Sequence, residues 1–404
     1  MTGRTGGRRR AAPPTTVFEE ISALAVRHGA INLGQGFPDA AGPDSVRAAA
    51  ARHVVEGPHH YPRMRGAEPL REALARFCRD TRGLAYDPAE EIVVTSGATE
   101  ALAAAILALV APGDEVLLLA PAYDAYAPLV RRAGGRPVEI CLRPPAWEIR
   151  AEDLAAACTP ATRALILNDP VNPTGRMLAA AERAAIADLA VAADLLVIAD
   201  EVWEEVRDPA RPHVSIASLA GMRARTVRIG SAGKIFQLTG WKVGWLMADA
   251  SLAAAIAAVH QYLTFTTPPA LQLAVAEGLD RERAWLETMR EALVAGRNHL
   301  AEGLAAAGWK VLPSEATWFL CVDLAASGIA LDDRSAALAL TTSHGVAAIP
   351  VSAFFDGPGA PRTILRFCHA KAPATIDAAL ERLGPARAAL AQKSVQIPLT
   401  SQSP

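Results

Sequence analysis

Short, unbroken apolar runs, each closed by a turn signal and followed by a helical stretch, constrain this chain's fold more than any other feature. Glu91–Thr95 (EIVVT), Glu115–Leu119 (EVLLL), Ala164–Leu167 (ALIL), Leu195–Ala199 (LLVIA) and Val227–Ile229 read as strands. Glu100–Val110, Asp124–Ala133 and Ala179–Ala192 read as the helices between them. A strand that is apolar on both faces must be covered on both faces. The pattern therefore predicts an α/β fold with a mostly parallel sheet flanked by helices.

From about Pro268 the pattern changes. One long helix is expected over Ala270–Ala307, then strand-like runs at Trp318–Val322, Ala347–Pro350 and Ile364–Phe367, and a closing helix over Ala374–Leu390. A chain of 404 residues suits two lobes. We expect a large domain over 46–290 and a smaller α+β domain over 291–393, the latter joined by the N-terminal segment 15–45. Residues 1–14 and 394–404 are expected to be flexible tails.

Charge narrows the partners. Forty basic residues against forty-two acidic ones leave a net charge of −2, so no global field draws the chain to nucleic acid or an anionic membrane. No apolar run is both long and uncharged enough to span a bilayer, and the arginine-rich start is followed by no apolar segment of a secretory signal. Cys78, Cys141, Cys158, Cys321 and Cys368 form no CxxC pair, which suits a reducing cytoplasm and argues against a disulfide framework or zinc site. No histidine pair shares a helical face with a carboxylate, so no metal is expected. Small molecules are the expected partners.

In open α/β sheets, ligands bind beyond the carboxyl ends of the strands. Ser96-Gly97-Ala98-Thr99-Glu100 follows the first strand and opens a helix, where free N–H groups and the helix dipole favour an anion. Pro121-Ala122-Tyr123 follows the second, Asn168 through Gly175 the third, Asp200-Glu201-Val202-Trp203 the fourth, and Ser231-Ala232-Gly233-Lys234 the fifth. Only five of the forty basic residues are lysines, and where arginine is the default cation a lysine marks a place where the proton must come off. The Gly233-Lys234 pair is not a nucleotide P-loop, because Arg228 and Ile235 stand where that loop needs Gly and Ser/Thr. Nor is Gly34-Gln35-Gly36 a dinucleotide fingerprint, since Phe37-Pro38-Asp39 comes next.

Taken in order, Asn32–Asp39, Tyr61–Leu70, Val94–Leu102, Asn168–Gly175, Ala199–Trp203, Gly230–Trp245, Ala348–Phe354 and Leu365–Phe367 resemble the fold-type I pyridoxal 5′-phosphate (PLP) aminotransferases of class I/II. The likeness is to the subgroup holding kynurenine, methionine and N-succinyldiaminopimelate aminotransferases, and it runs from about residue 15 to 390. The resemblance implies that Lys234 carries the cofactor as a Schiff base and shuttles the α-proton, with Asp200 at the pyridine nitrogen and Asn172 at the ring oxygen. It implies Tyr123 stacked on the ring, and Ala98, Thr99, Ser231 and Lys242 on the phosphate, with Tyr61 reaching it from the other subunit of a homodimer. Arg366 would grip the substrate carboxylate, assisted by Asn168 and the backbone of Gly36.

The resemblance breaks at Trp203, where the family carries a tyrosine that donates to the ring oxygen. An indole N–H donates once and cannot accept. Expected activity is transfer of an amino group from an L-amino acid to a 2-oxo acid such as 2-oxoglutarate. The alternative is a PLP-dependent cysteine-conjugate β-lyase, which needs the same base and electron sink. A PLP-sensing regulator would need a DNA-binding module before the fold, and about fourteen residues precede it. Phe18, Tyr61, Tyr123, Phe236 and, across the dimer, Phe265 are expected around the substrate side chain and suggest aromatic or long apolar amino acids. Arg63 and Arg65 are the alternative readers of a distal carboxylate, though surface positions are the expectation for both.

Overall fold

The computed structural model describes residues 16–395, so both expected tails fall largely outside the described residues. The chain opens with α1 (Val17–His28), the short strand β1 (Ile31–Asn32), α2 (Asp44–Glu56) and α3 (Glu68–Arg82). Then β2 (Ile92–Thr95), α4 (Ala98–Leu109), β3 (Glu115–Ala120), α5 (Tyr126–Arg132), β4 (Arg136–Cys141), α6 (Ala151–Ala157) and β5 (Thr162–Asn168) alternate. They are followed by α7 (Ala180–Ala192), β6 (Leu196–Asp200), β7 (Thr226–Ser231), the single turn α8 (Ala232–Ile235), β8 (Gly244–Met247) and α9 (Ala250–Leu263).

Seven strands form one sheet in the order β2-β8-β7-β6-β5-β3-β4. β4, β3, β5, β6 and β7 run parallel, while β8 pairs antiparallel with both β7 and β2. β6 and β7 are buried almost throughout, as an all-apolar strand demands. Apolar clusters lie on both faces: Leu102, Ile106 and Ile256 on one, Leu154, Ile186 and Ala190 on the other.

Two sheet strands had no signal in the sequence. β4 (RPVEIC) carries Pro137 and charges as an edge strand can, its outer N–H groups having no ladder partner to lose. β8 is only four residues long and begins at Gly244. The expected single helix over Ala270–Ala307 is two helices, α10 (Pro269–Arg281) and α11 (Arg283–Ala306), because Glu282 leaves helical geometry at ψ 31°.

The remainder comprises β9 (Lys310–Val311), β10 (Phe319–Asp323), α12 (Asp333–Ser343), β11 (Val346–Ala347), β12 (Ile349–Pro350), β13 (Ile364–Cys368) and α13 (Pro373–Val395). β12, β13, β10 and β9 form a second, antiparallel sheet, and β1 pairs with β11. Ile21, Ala25 and Leu33 from the N-terminal segment pack in one cluster with Leu300, Phe367 and Leu383. α11 joins both cores, with Leu286 and Leu293 in the first and Leu300 and Leu304 in the second. α13 continues to Val395, past the point where the tail was expected to start.

Candidate active site

The parallel strands end at one rim, and Asp200, Asn172 and Lys234 of the predicted set lie there. Lys234 lies on the one-turn helix α8, immediately after β7. A Cβ on Gly233 would come 3.0 Å from Thr239 Cα, so a small residue is needed for the next segment to pass this close. Burial pushes the Lys234 ammonium down to about 8; Asp200 opposes that shift, while Arg366 and Lys242 reinforce it. Near neutrality the lysine is still mostly an ammonium, but it gives up its proton far more readily than an ordinary lysine.

Asp200 ends β6 and is 5% exposed. Burial pushes its carboxyl above the usual range, against the hydrogen bond from Tyr126, the Val202 amide and the Lys234 charge. Tyr126 Oη donates to Asp200 Oδ2 at 2.6 Å. A carboxylate held this far from water lacks a full countercharge, and a protonated ring nitrogen facing it would supply one.

Arg366, on β13, arrives from the second sheet. Its Nη2 donates to the Gly34 carbonyl at 2.6 Å and its Nη1 to Asn172 Oδ1 at 2.9 Å, while Nε has no partner. Burial lowers it to about 10, and among the described residues no carboxylate pairs with it. Its guanidinium also lies 3.9 Å from the Phe319 ring centroid. Such a cation is a receptor for an incoming carboxylate. The sequence allowed Arg366 a surface ion pair; at 2% exposure it is instead held in the interior.

A cavity of about 320 Å³ connects these groups, lined by Phe18, Gly36, Tyr123, Asn172, Trp203, Lys234 and Arg366 together with Asp124 and Phe319. That is the size range of small-ligand sites. A larger recess of about 410 Å³ lies beside His369 and Trp285, with mostly apolar walls. It holds none of the predicted residues, so the smaller cavity is the candidate site.

An anion cradle adjoins it. Gly97 takes φ +81°, and a Cβ there would meet Lys242 Cε at 3.2 Å and Nζ at 3.3 Å. The lysine tip therefore lies against the turn that opens α4, whose first residues are Ala98 and Thr99. A Cβ on Gly244 would strike Gly97 C and Ala98 N at 2.5–2.6 Å, so this turn packs directly on β8. The buried Ser231 ends β7 and pairs with Gly244, the residue packed on this turn. A helix N-terminus plus an ammonium suits a phosphate.

Other predicted residues fall elsewhere. Asn168 is engaged with backbone: Nδ2 donates to the Asp200 carbonyl at 2.9 Å, and Oδ1 accepts from the Asn172 amide at 2.8 Å. It braces the rim and does not line the cavity. Phe236 does not line the cavity either; it is fully buried against Trp285 and Gly278, facing the core instead of the substrate. Tyr61 is 84% exposed and meets Phe265 edge-on with centroids 5.7 Å apart. Arg63 is exposed, and Arg65 donates to the Glu90 carbonyl at 2.7 Å, away from the cavity.

Sequence reasoning missed the layer beneath the site. Arg228 donates to Glu201 Oε2 at 2.6 Å and Glu204 Oε2 at 3.0 Å; Arg82 donates to Glu204 at 3.0 Å and Glu205 at 2.5 Å. All these side chains are nearly water-free. Glu201, Glu204 and His213 bring potential ligand atoms within 4.8 Å of one another, but the Arg228 guanidinium already serves both carboxylates as their cation. The run Asp200-Glu201-Val202-Trp203-Glu204-Glu205 was a visible signal, since so many acids after a buried strand need buried partners.

Comparison with known proteins accords with this geometry. The sequence matches the family "Aminotransferase class I and II" over residues 28–383. It is 47% identical over 381 residues to the probable N-succinyldiaminopimelate aminotransferase DapC of Mycobacterium tuberculosis, covering 91% of this chain and 95% of that protein. Methionine aminotransferase of Escherichia coli is 41% identical over 369 residues, again covering 91% and 95%. The solved structure of the N-succinyldiaminopimelate aminotransferase from Mycobacterium tuberculosis superposes with a TM-score of 0.89, covering 92% of this chain and 97% of that one.

Proposed function

This chain belongs to the class I and II aminotransferases, and we propose that Lys234, Asp200 and Arg366 carry out amino-group transfer from an aromatic or long apolar L-amino acid to a 2-oxo acid. It is a PLP-dependent transaminase. The observation that carries the site assignment is one cavity holding a half-buried lysine and a buried arginine, neither in an ion pair among the described residues.

The residues present fit the cofactor: a cradle at Gly97 and Lys242 for its phosphate, an under-compensated Asp200 for its ring nitrogen, and aromatic walls at Tyr123 and Trp203 for its ring. When bound, PLP supplies an aldehyde that takes up amino groups and an electron-withdrawing ring that stabilises charge at the substrate α-carbon. Lys234 would hold that aldehyde carbon and, once released, take the proton from the substrate α-carbon and return it. Asp200 would keep the ring nitrogen protonated, Asn172 would donate to the ring oxygen, and Arg366 would orient the substrate through its carboxylate.

The walls set the choice of substrate. Phe18, Tyr123, Trp203 and Phe319 are aromatic, and Asp124 is the carboxylate among them. Among the described residues no arginine besides Arg366 lines the cavity, which supports an uncharged side chain over a distal acid of the N-succinyldiaminopimelate kind. A homodimer is supported by the exposed aromatic pair Tyr61 and Phe265, in edge-on contact at 84% and 42% exposure. Among the described residues no helix is long and apolar enough to cross a membrane, and the five free cysteines suit a reducing cytoplasm.

An amino-donor panel, read by loss of the cofactor's visible absorbance without added 2-oxo acid, tests the reading. Phenylalanine, tryptophan, kynurenine and methionine are expected to convert the protein in a single turnover. Continuous pyruvate and ammonia from a cysteine conjugate would mean a β-lyase, and preference for acidic donors would overturn the substrate class.

A further inference from the structure

Two indoles face the Lys234 side chain from distant parts of the sequence. Nζ lies 4.6 Å from the Trp203 ring centroid and 4.8 Å from that of Trp318. The two rings meet edge to face at 85°, with centroids 4.9 Å apart. Trp203 lies three residues past β6 and is 3% exposed; Trp318 directly precedes β10 and is fully buried. We propose that Trp203 and Trp318 form an aromatic box that holds the Lys234 ammonium against their ring faces, so that both are positioning residues for this lysine. The proposal rests on the reading of Lys234 as the residue that bonds the cofactor.

Indole, among the aromatic side chains, suits this place for a physical reason. Trp318 Nε1 is buried with no hydrogen-bond acceptor among the described residues. An orphaned buried donor costs free energy that a phenylalanine of similar shape would not. What indole offers in return is its face, the strongest of the aromatic side chains toward a cation. The same holds at Trp203, where a phenol would both donate and accept; the indole gives up the acceptor and gains the better face.

The box has something to oppose. Asp200 is the facing group that favours the ammonium, while Arg366 and Lys242 disfavour it, as does burial itself. The Cys368 thiol also faces the lysine, and Tyr123 and Asp124 share its cavity. Ring faces add attraction without adding a charge, so they retain basicity in a lysine that must accept a proton. They also give the ammonium a fixed resting place after the proton arrives.

The test uses the full-length protein in its pyridoxamine-phosphate form, where Lys234 is not bonded to cofactor. Cyanate carbamylates only neutral amines, and the five lysines can be followed separately by peptide mass spectrometry across pH. Growth on tryptophans of increasing fluorination drains the ring faces at nearly constant shape. The apparent pKa of Lys234 is expected to fall by about half a unit to one unit across that series, with Lys242, Lys310, Lys371 and Lys393 unmoved. Trp203→Leu and Trp318→Leu should each lower it, with Trp203→Phe in between. A Lys234 pKa that ignores fluorination overturns the box even if the leucine variants do not fold. Borohydride fixation of cofactor in the pyridoxal-phosphate form of the same proteins separates the outcomes: fixation at Lys234 with an invariant pKa sinks the box alone, and no fixation at Lys234 sinks the reading beneath it.

Discussion

Tyr126 Oη donates to Asp200 Oδ2 across a gap of 2.6 Å, with both side chains buried. The bond ties the first turn of α5 to the end of β6 and aims the carboxylate along the rim. It also lowers the Asp200 carboxyl against the upward push of burial.

Tyr126→Phe removes one oxygen and leaves the ring packing. Asp200 should then become harder to ionise, and its hold on a protonated ring nitrogen should weaken. A lost hydrogen bond to a charged group costs about 1.5–3 kcal/mol, or roughly ten- to a hundredfold in cofactor affinity. Equilibrium dialysis of the coenzyme reads this directly, and unchanged retention would show that the phenol only packs.

Lys234→Ala should leave the fold intact, because removing a buried amine relieves desolvation. Transamination should fall by at least about 10²–10⁴-fold, the usual share of a positioned proton-transfer group. Thermal unfolding measured beside single-turnover rates checks both halves of the expectation.

At Arg366, replacement by lysine keeps the charge and loses the fork. An ammonium lacks the planar fork that meets Gly34 and Asn172 while still presenting two parallel N–H groups to a carboxylate, so KM for the amino acid should rise by one to two orders of magnitude, about 1.4–3 kcal/mol. Steady-state kinetics decide it. A large kcat loss at unchanged KM would place Arg366 outside substrate binding.

The acid limb of stability should depend on His369. Burial, aided by Arg297, pushes this imidazole down to about 3 from its ordinary 6.5. Below about pH 6.5 the unfolded chain binds a proton that the folded chain refuses until about pH 3, so stability falls across that window as pH drops. The slope is up to about 1.4 kcal/mol per pH unit. In His369→Phe, urea unfolding should lose about 2 kcal/mol less between pH 6.5 and 5 than in the parent. Equal losses in both proteins would falsify the assignment.

The ladder of apolar strands, with the turn residues that close each one, was legible along the chain. Lys234, Asp200, Asn172 and the Gly97 turn all sit at carboxyl ends of strands, and a strand end is a local property of sequence. Gaps arose where local signal is weak or misleading. The edge strand β4 hides behind Pro137, and Phe236, two residues from Lys234, turns into the core. Its direction is set by α10 and α11 packing against it, which no nearby residue announces.

Sequence alone therefore disclosed five of the seven strands of the main sheet, the family and the strand ends at which a site was expected, because periodicity and motif spacing act over a few residues. Only tertiary structure decided which partners those residues meet. Tyr126 reaches Asp200 across 74 positions, Arg366 reaches Asn172 across 194 and Gly34 across 332, and Trp318 closes on Lys234 from beyond α11. Such pairings arise from the way helices and the two sheets pack around one cavity, and burial then sets the charge states on which the chemistry depends.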